Sequence, residues 1–482
     1  MVGAFLRTYG LDAESYWLDE VISLSMAQSD IGSIANPPQW EVHVLPLYYL
    51  LLHFWVGIAG TGEFGVRLLS VLFGVLCIPV TFLIGRLLFD SDEVGLMGAL
   101  ILTFSMFHLR YSQEARMYSL LALTSLVCMY LFLRSLKENR GLLWFGYGLS
   151  SVLLVYTHLF GWFILAVQVF LLALWRPGGE DVGDRRGGAH LWKGFLVFSF
   201  AFVAFMPWML KLLEGMSDGV GPESLAWLPV PGPLFVIGTF FVFASGSLVA
   251  FIFLLWLGKD GLMASLGPVQ RRIGDLLAFN SRSLGAYVCF FWLLAPVVGS
   301  YLLSVVVTPI FHPRYLIICS PALFLLAARG LADRRRGTRL LLVMLIIVDG
   351  ASCILAHYFY HENERWGDVA DYLENRVGSS EILYVSPSWF TSPVKHYYSG
   401  SVRGVDEPCK AGLELEAGDW LVLWEPSTGV GNGGGRLVEK CGFELVEKFP
   451  SKDILYTLNL MGIPLYEVVS PNIILYRAVV VE

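Results

Sequence analysis

The chain has 482 residues, of which 56% are hydrophobic, 14% aromatic and only 15% charged, with a net charge of −7. Soluble chains carry roughly 25% charged residues. With so few charges and a mean hydropathy of +0.62, a water-soluble fold could not cover its surface, and a disordered protein, a coiled coil and a disulfide scaffold are excluded as well.

The composition is that of an α-helical, multi-pass integral membrane protein. A spanning helix needs about 20 largely apolar residues. In chain order, spans are expected at residues 68–85, 93–109 and 117–133. The uncharged run 141–175 is too long for one span and reads as a helical hairpin turning near 158–161. Further spans are expected at 194–210, within 224–258, within 283–313, at 315–332 and at about 340–357, which makes ten from residue 64 onward. Residues 45–59 are apolar but short, and read best as a helix lying at the outer interface. No apolar core long enough for a signal peptide is evident in the first residues.

Basic residues orient the spans. One set of loops holds Arg86, then Arg134, Lys137 and Arg140, then Arg176, Arg185, Arg186 and Lys193, then Lys259, Arg271, Arg272 and Arg282, and finally Arg334, Arg335, Arg336 and Arg339. The opposite loops hold only Arg110, Arg116, Lys211 and Arg314. The positive-inside bias makes the first set cytoplasmic, which leaves residues 1–63 and 358–482 outside. The chain then divides into a transmembrane domain, 1–357, and an extracytoplasmic domain, 358–482.

The tail differs in character. It carries 18 acidic and 10 basic side chains, a balance of −8, whereas the rest of the chain sums to +1. Nothing in this distribution points to nucleic acid. Residues 366–376 have a helical pattern with Val369, Ala370 and Leu373 on one face. Residues 381–385, 420–424 and 473–476 read as strands between Gly- and Pro-containing turns, so a small α/β domain is expected. Five cysteines lie in apolar runs, whereas Cys409 and Cys441 could pair in an oxidising compartment.

Charged groups near a bilayer are costly and often mark function. Here they gather in four places on the outer side: Tyr16-Trp17-Leu18-Asp19-Glu20, Arg110 to Tyr118 with Glu114 and Arg116, Tyr156-Thr157-His158, and His312-Pro313-Arg314-Tyr315. Carboxylates can take a proton from a hydroxyl nucleophile, and arginines present a rigid fork that suits phosphate. A site with both beside lipid suits a sugar carried on a lipid phosphate. The phosphate leaves already ionised and needs cationic stabilisation more than a general acid.

At these residues the sequence resembles the polyprenyl-phosphate-sugar-dependent glycosyltransferases of the GT-C fold, in particular glycosyltransferase family 39, which includes protein O-mannosyltransferases and aminoarabinose transferases. The resemblance is carried by Trp17-Leu18-Asp19-Glu20, His43-Val44-Leu45-Pro46-Leu47-Tyr48-Tyr49, Glu63-Phe64-Gly65-Val66-Arg67 and Tyr111-Ser112-Gln113-Glu114-Ala115-Arg116-Met117-Tyr118. Tyr156-Thr157-His158 and Phe311-His312-Pro313-Arg314-Tyr315 complete it. It covers about residues 5–357.

The resemblance implies an inverting transfer of a sugar, such as the hexose mannose, from a polyprenyl- or dolichyl-phosphate carrier to an acceptor hydroxyl of a protein, glycan or lipid. It implies Asp19 as base with Glu20 beside it, and Glu114 and Arg116 as groups that orient the substrates. Arg314, with His312 and Tyr315, would lie at the donor phosphate, and His158 and His43 would lie in the site. Relatives usually place one more transmembrane helix before the Trp-Leu-Asp-Glu segment, and residues 5–11 look like its end. They also often read His-Pro-Pro-Leu-Tyr where this chain has His43-Val44-Leu45-Pro46.

No histidine pair has zinc-ligand spacing, so no metal site is read from the sequence, although the resemblance leaves a divalent cation open. The glycine-rich run 429–434 matches a dinucleotide pattern but is expected to be a loop. Asp349, inside the last span, is expected to be hydrogen-bonded rather than a proton relay. The alternative reading is a transporter or lipid flippase that uses the same polar residues as a path. Transporters tend to bind near the bilayer midplane, whereas here the charges gather at one face.

Overall fold

A computed structural model describes residues 1–37, 44–174, 186–217, 228, 230–266, 282–360, 363–378, 381–409, 418–425, 443–450, 459–460, 463–464 and 472–478. His43, Cys441 and the glycine-rich run 429–434 lie outside the described residues.

The amino-terminal part is helical: α1 Val2–Thr8, α2 Leu18–Gln28, α3 Ile31–Ala35, α4 Pro46–Ala59, α5 Glu63–Phe89, α6 Asp92–Thr103, α7 Met106–Ser112, α8 Tyr118–Glu138, α9 Gly141–Thr157, α10 Gly161–Leu174, α11 Arg186–Ser217, α12 Pro233–Phe243, α13 Leu248–Leu266, α14 Arg282–Val306, α15 Ser320–Ala332 and α16 Arg336–Phe359. Among the described residues five helices are long and apolar enough to cross a membrane, and the bent pair α6–α7 makes a sixth. Several other apolar helices are shorter than a full span.

The expected hairpin is present, its two arms α9 and α10 meeting at His158. The span expected at 93–109 is instead two helices bent by 62°. The carbonyls freed at the bend need donors, and the buried guanidinium of Arg7, on α1, donates to Leu102 O and Thr103 O at 3.1 and 3.4 Å. Elsewhere, packing relies on close backbone approach. A Cβ at Gly261 of α13 would lie 2.0 Å from Leu326 O, and one at Gly330 of α15 would lie 2.1 Å from Leu257 O. This reciprocal glycine contact is a usual way for apolar helices to associate in lipid. It seats α15, whose preceding 3-10 turn Tyr315–Ile318 starts at Arg314.

The tail is an α/β unit with helices α17 Trp366–Glu374 and α18 Thr391–Tyr397 and strands β1 Leu383–Ser386, β2 Val402–Gly404, β3 Trp420–Glu425, β4 Phe443–Phe449, β5 Asn459–Leu460, β6 Ile463–Pro464 and β7 Asn472–Ala478. Five strands form one sheet in the order β2-β1-β3-β7-β4. β1 pairs in parallel with β2 and β3, and β7 pairs antiparallel with β3 and β4. The apolar face of α17, with Trp366, Val369, Ala370 and Leu373, is buried against Leu383, Val385, Val422 and Leu475. Cys409 is disulfide-bonded.

The tail docks on the segment that leads into α2. Tyr397 Oη accepts from Tyr16 N at 2.7 Å and donates to Glu63 Oε1 at 2.7 Å. Ser15 Oγ accepts from Gly367 N at 3.0 Å, and Glu14 Oε2 accepts from Asn363 N at 3.1 Å.

Candidate active site

Helix α2 opens with two consecutive carboxylates whose environments diverge. Successive residues of an α-helix point about 100° apart, so Asp19 and Glu20 face different surroundings. Glu20 is fully buried. Its Oε1 accepts from Arg67 Nε at 2.8 Å and from Ala115 N at 2.8 Å, and its Oε2 accepts from Arg67 Nη2 at 2.7 Å and Trp17 N at 3.4 Å. The Trp17 contact is half of a capping box on α2. Arg67 spends its remaining donors on Leu11 O, Glu14 O and Ser15 O at 2.8, 2.8 and 3.0 Å. Arg67 and Glu20 thus tie the approach to α2, the start of α5 and the loop before α8 into one knot.

Asp19 keeps 24% of its side chain exposed. Its Oδ2 lies 3.5 Å from Arg116 Nη2 and 3.9 Å from Arg314 Nη1. Arg116 is held in place by its Nη1, which is 3.3 Å from each of Asp19 O, Ser23 Oγ and Tyr49 Oη. Arg314 lies over the rings of Tyr118 and Tyr315, at 5.6 and 5.4 Å from their centroids, a cation–π seat that orients its guanidinium. The backbone N of Arg314 donates to His312 Nδ1 at 3.3 Å. Burial, assisted by the Arg314 charge, pushes the His312 imidazole well below its ordinary value, so this ring is a neutral acceptor.

Glu114 lies within reach of the Arg314 charge. Its Oε1 accepts from Arg110 Nε at 3.3 Å, and its Oε2 is buried with no partner. Burial pushes its carboxyl up to about 7, against the opposing pull of Arg110. A cavity of about 300 Å³ reaches Glu114, lined also by Arg110, Gln113, Glu14 and Asn363. His158 reaches the site through Tyr315: the two rings are 4.8 Å apart, and Phe160 adds a further contact to Tyr315 at 5.3 Å. His158 Nδ1 also accepts from Phe160 N at 3.1 Å across the hairpin turn.

On the far side of Tyr315 an apolar cavity of about 470 Å³ is lined by His158, Phe160, Trp162, Phe163 and Ile310. Trp162 and Ala166 connect it to a groove along Val169, Phe170 and Phe198, and Val169 and Phe170 are exposed on the helix surface. An apolar groove therefore lies beyond the Tyr315 ring on which Arg314 is seated.

The structure brings Asp19, Glu20, Glu114, Arg116, His158, His312, Arg314 and Tyr315 into one neighbourhood. Three further participants were not singled out from the sequence. Arg67 stood in a quoted motif, but nothing signalled its partner. Tyr118, whose buried hydroxyl has no partner, was a span-end aromatic. Glu364 comes from the root of the tail. Its buried carboxyl feels the Asp19 charge and is pushed up to about 7, chiefly by burial and then by Asp19. Asp349 is buried and accepts from Ser247 Oγ at 2.7 Å, on a separate small cavity of about 40 Å³.

Among the described residues no group of three or more His, Cys, Asp or Glu could hold a metal ion. A divalent cation at Asp19 would meet two guanidinium charges. The donor set does not fit one, and no step below uses a metal.

Residues 42–210 match the family described as dolichyl-phosphate-mannose-protein mannosyltransferase. No curated protein is matched by sequence. Solved structures are matched over nearly the whole chain. ArnT from Cupriavidus metallidurans in the apo state shares 13% identity at a TM-score of 0.58, covering 98% of this chain and 96% of that one. The same protein bound to undecaprenyl phosphate shares 14% at 0.57, with the same coverage. The Archaeoglobus fulgidus oligosaccharyltransferase, in complex with zinc and sulfate, shares 13% at 0.55, covering 97% of this chain and 74% of that one. The chain has the GT-C fold, and its mannosyltransferase-like segment together with that fold indicates a membrane glycosyltransferase.

Proposed function

We propose that this protein transfers a sugar, a hexose such as mannose, from a polyprenyl-phosphate carrier to an acceptor hydroxyl, with Asp19 as base. The observation that carries the reading is a half-open carboxylate set between two guanidinium groups, one of them seated on Tyr315, whose ring also lines an apolar groove. The groove suits the prenyl chain, and its neighbour ArnT binds undecaprenyl phosphate. Arg314, with Arg116, receives the phosphate. Arg–phosphate contacts are charge-assisted and directional.

The acceptor O–H gives its proton to Asp19 while the acceptor oxygen attacks the anomeric carbon. The bond from that carbon to the phosphate oxygen breaks, and its electron pair leaves on the phosphate, where the arginines stabilise it. One base on one face and one leaving group on the other give inversion. Glu20, with both oxygens engaged, positions the turn rather than taking a proton. Glu114 orients Arg110 and lines the polar cavity on the acceptor side. The excess of basic residues in the opposite loops supports a location outside the cytoplasm for this pocket and the tail.

The test is sugar transfer from purified undecaprenyl-phosphate-linked mannose, glucose and aminoarabinose by the wild type and by Asp19→Asn. Transfer from one of these donors by the wild type, lost in the variant, is the expected result. Equal rates would remove Asp19 as base, and transfer from none of the donors would overturn glycosyl transfer from this carrier.

A further inference from the structure

Among the described residues of the tail, Glu364 brings a carboxyl close enough to feel the charge of Asp19. It follows the last membrane helix and precedes α17, and the residue is 9% exposed. Its carboxyl lies beside the backbone N–H of Leu18, the first residue of α2, and beside the side chain of Trp366. Its Oε2 is buried and makes no hydrogen bond among the described residues. The same short segment is pinned from both sides, by Glu14 on Asn363 N and by Ser15 on Gly367 N, so Glu364 is held against the turn that presents Asp19.

The surrounding charges are identifiable. From α2 comes Asp19, backed by Arg116 and Arg314. From the approach to α2 comes Glu14. From the tail come Arg365, paired with Asp368, and His396, whose ring packs on Tyr16. Glu364 has none of the arginines as its own ion-pair partner. Like charges that share a site favour keeping one proton between them.

We infer that Glu364 is a positioning residue for Asp19: the tail holds the first turn of α2 through this carboxyl, and its negative charge, once formed, favours arrival of the acceptor's proton on Asp19. In the transfer step the proton moves from the acceptor oxygen to Asp19, and Glu364 neither gains nor loses one. This inference rests on the assignment of Asp19 as base.

The experiment is the pH dependence of transfer by the full-length protein, from about pH 5.5 to about pH 8.5, with whichever of the three undecaprenyl-phosphate donors the wild type uses. Glu364→Gln keeps an acceptor for Leu18 N–H but cannot ionise. The wild-type kcat is expected to climb through about 7, where Glu364 titrates. Glu364→Gln is expected to lose that limb and to run about tenfold below the wild type at the alkaline end, with an unchanged KM for the donor. A Glu364→Gln profile that superimposes on the wild type overturns the inference. So does a limb that vanishes in Glu114→Gln and persists in Glu364→Gln.

Should Glu364→Gln fail to fold, Glu364→Asp carries the same test. A displaced limb supports the inference, and an identical one overturns it. Asp19→Asn separates the two readings: wild-type rates in that variant sink the base assignment, whereas an inactive Asp19→Asn beside a wild-type-like Glu364→Gln sinks only the role of Glu364.

Discussion

The Glu20–Arg67 knot and the Asp19–Arg116–Arg314 cleft are built on the same helical turn and from the same chemistry, a carboxylate facing guanidinium, yet they do different work. In the knot every oxygen and nearly every donor is engaged inside the protein, at 2.7–3.0 Å for the Arg67 contacts. In the cleft the charge contacts are looser, at 3.5 and 3.9 Å, and Asp19 stays partly exposed. A saturated pair can hold structure but has nothing left to offer a substrate. A looser one leaves a partly exposed carboxylate for a substrate to meet, and its energetic cost is met by the scaffold around it.

The largest expected effect separates these roles directly. Asp19→Asn should lower transfer by about 10²- to 10⁴-fold, the usual span for losing a general base, with the melting temperature close to wild type. Glu20→Gln with an equal loss and an unchanged melting temperature would blur the distinction. Arg67→Ala is the complementary cut. It leaves a buried carboxylate uncompensated and should destabilise the protein by about 3–5 kcal/mol, read by thermal unfolding in detergent. A smaller loss than about 1 kcal/mol would mean that Glu20 finds water or another partner.

Arg314→Lys should cost less. It keeps the charge but loses the fork and the flat face that lies on Tyr118 and Tyr315, so transfer should fall about tenfold with a raised KM for the donor. Unchanged kinetics would place the phosphate elsewhere. The smallest effect concerns Glu114. Its folded carboxyl binds a proton up to about 7, against an ordinary 4.5. Between those values the folded state holds more protons than the unfolded state, so stability falls as pH rises through this window. Glu114→Gln should flatten part of that fall in melting temperature measured against pH. An unaltered slope would assign it to Glu364 alone.

Much of this architecture could be read from residue order. Hydropathy located the long spans and the hairpin broken at His158, the helical period located α17, and short apolar runs between Gly- and Pro-containing turns located β1, β3 and β7. The polar edge strand β4, with Glu444, Glu447 and Lys448 facing solvent, left no such trace. Neither did the bend between α6 and α7, whose carbonyls are met by Arg7 some 95 positions earlier. The site was legible where a motif stood next to a span end, as for Asp19, Arg116 and Arg314. It was illegible where the contact is purely spatial. Glu364 lies 345 positions from Asp19 in a segment with an ordinary acidic composition, and the partnership of Glu20 with Arg67 needs the third dimension to be seen.

The hydrogen bonds from Tyr397, Gly367 and Asn363 onto residues 14–16 and Glu63 have a temporal consequence. The turn that carries Asp19 is synthesised before the groups that clamp it. A nascent chain stopped after α16 could insert its helices and still lack the contacts that fix this turn, so the pocket would be completed only after synthesis had passed Tyr397.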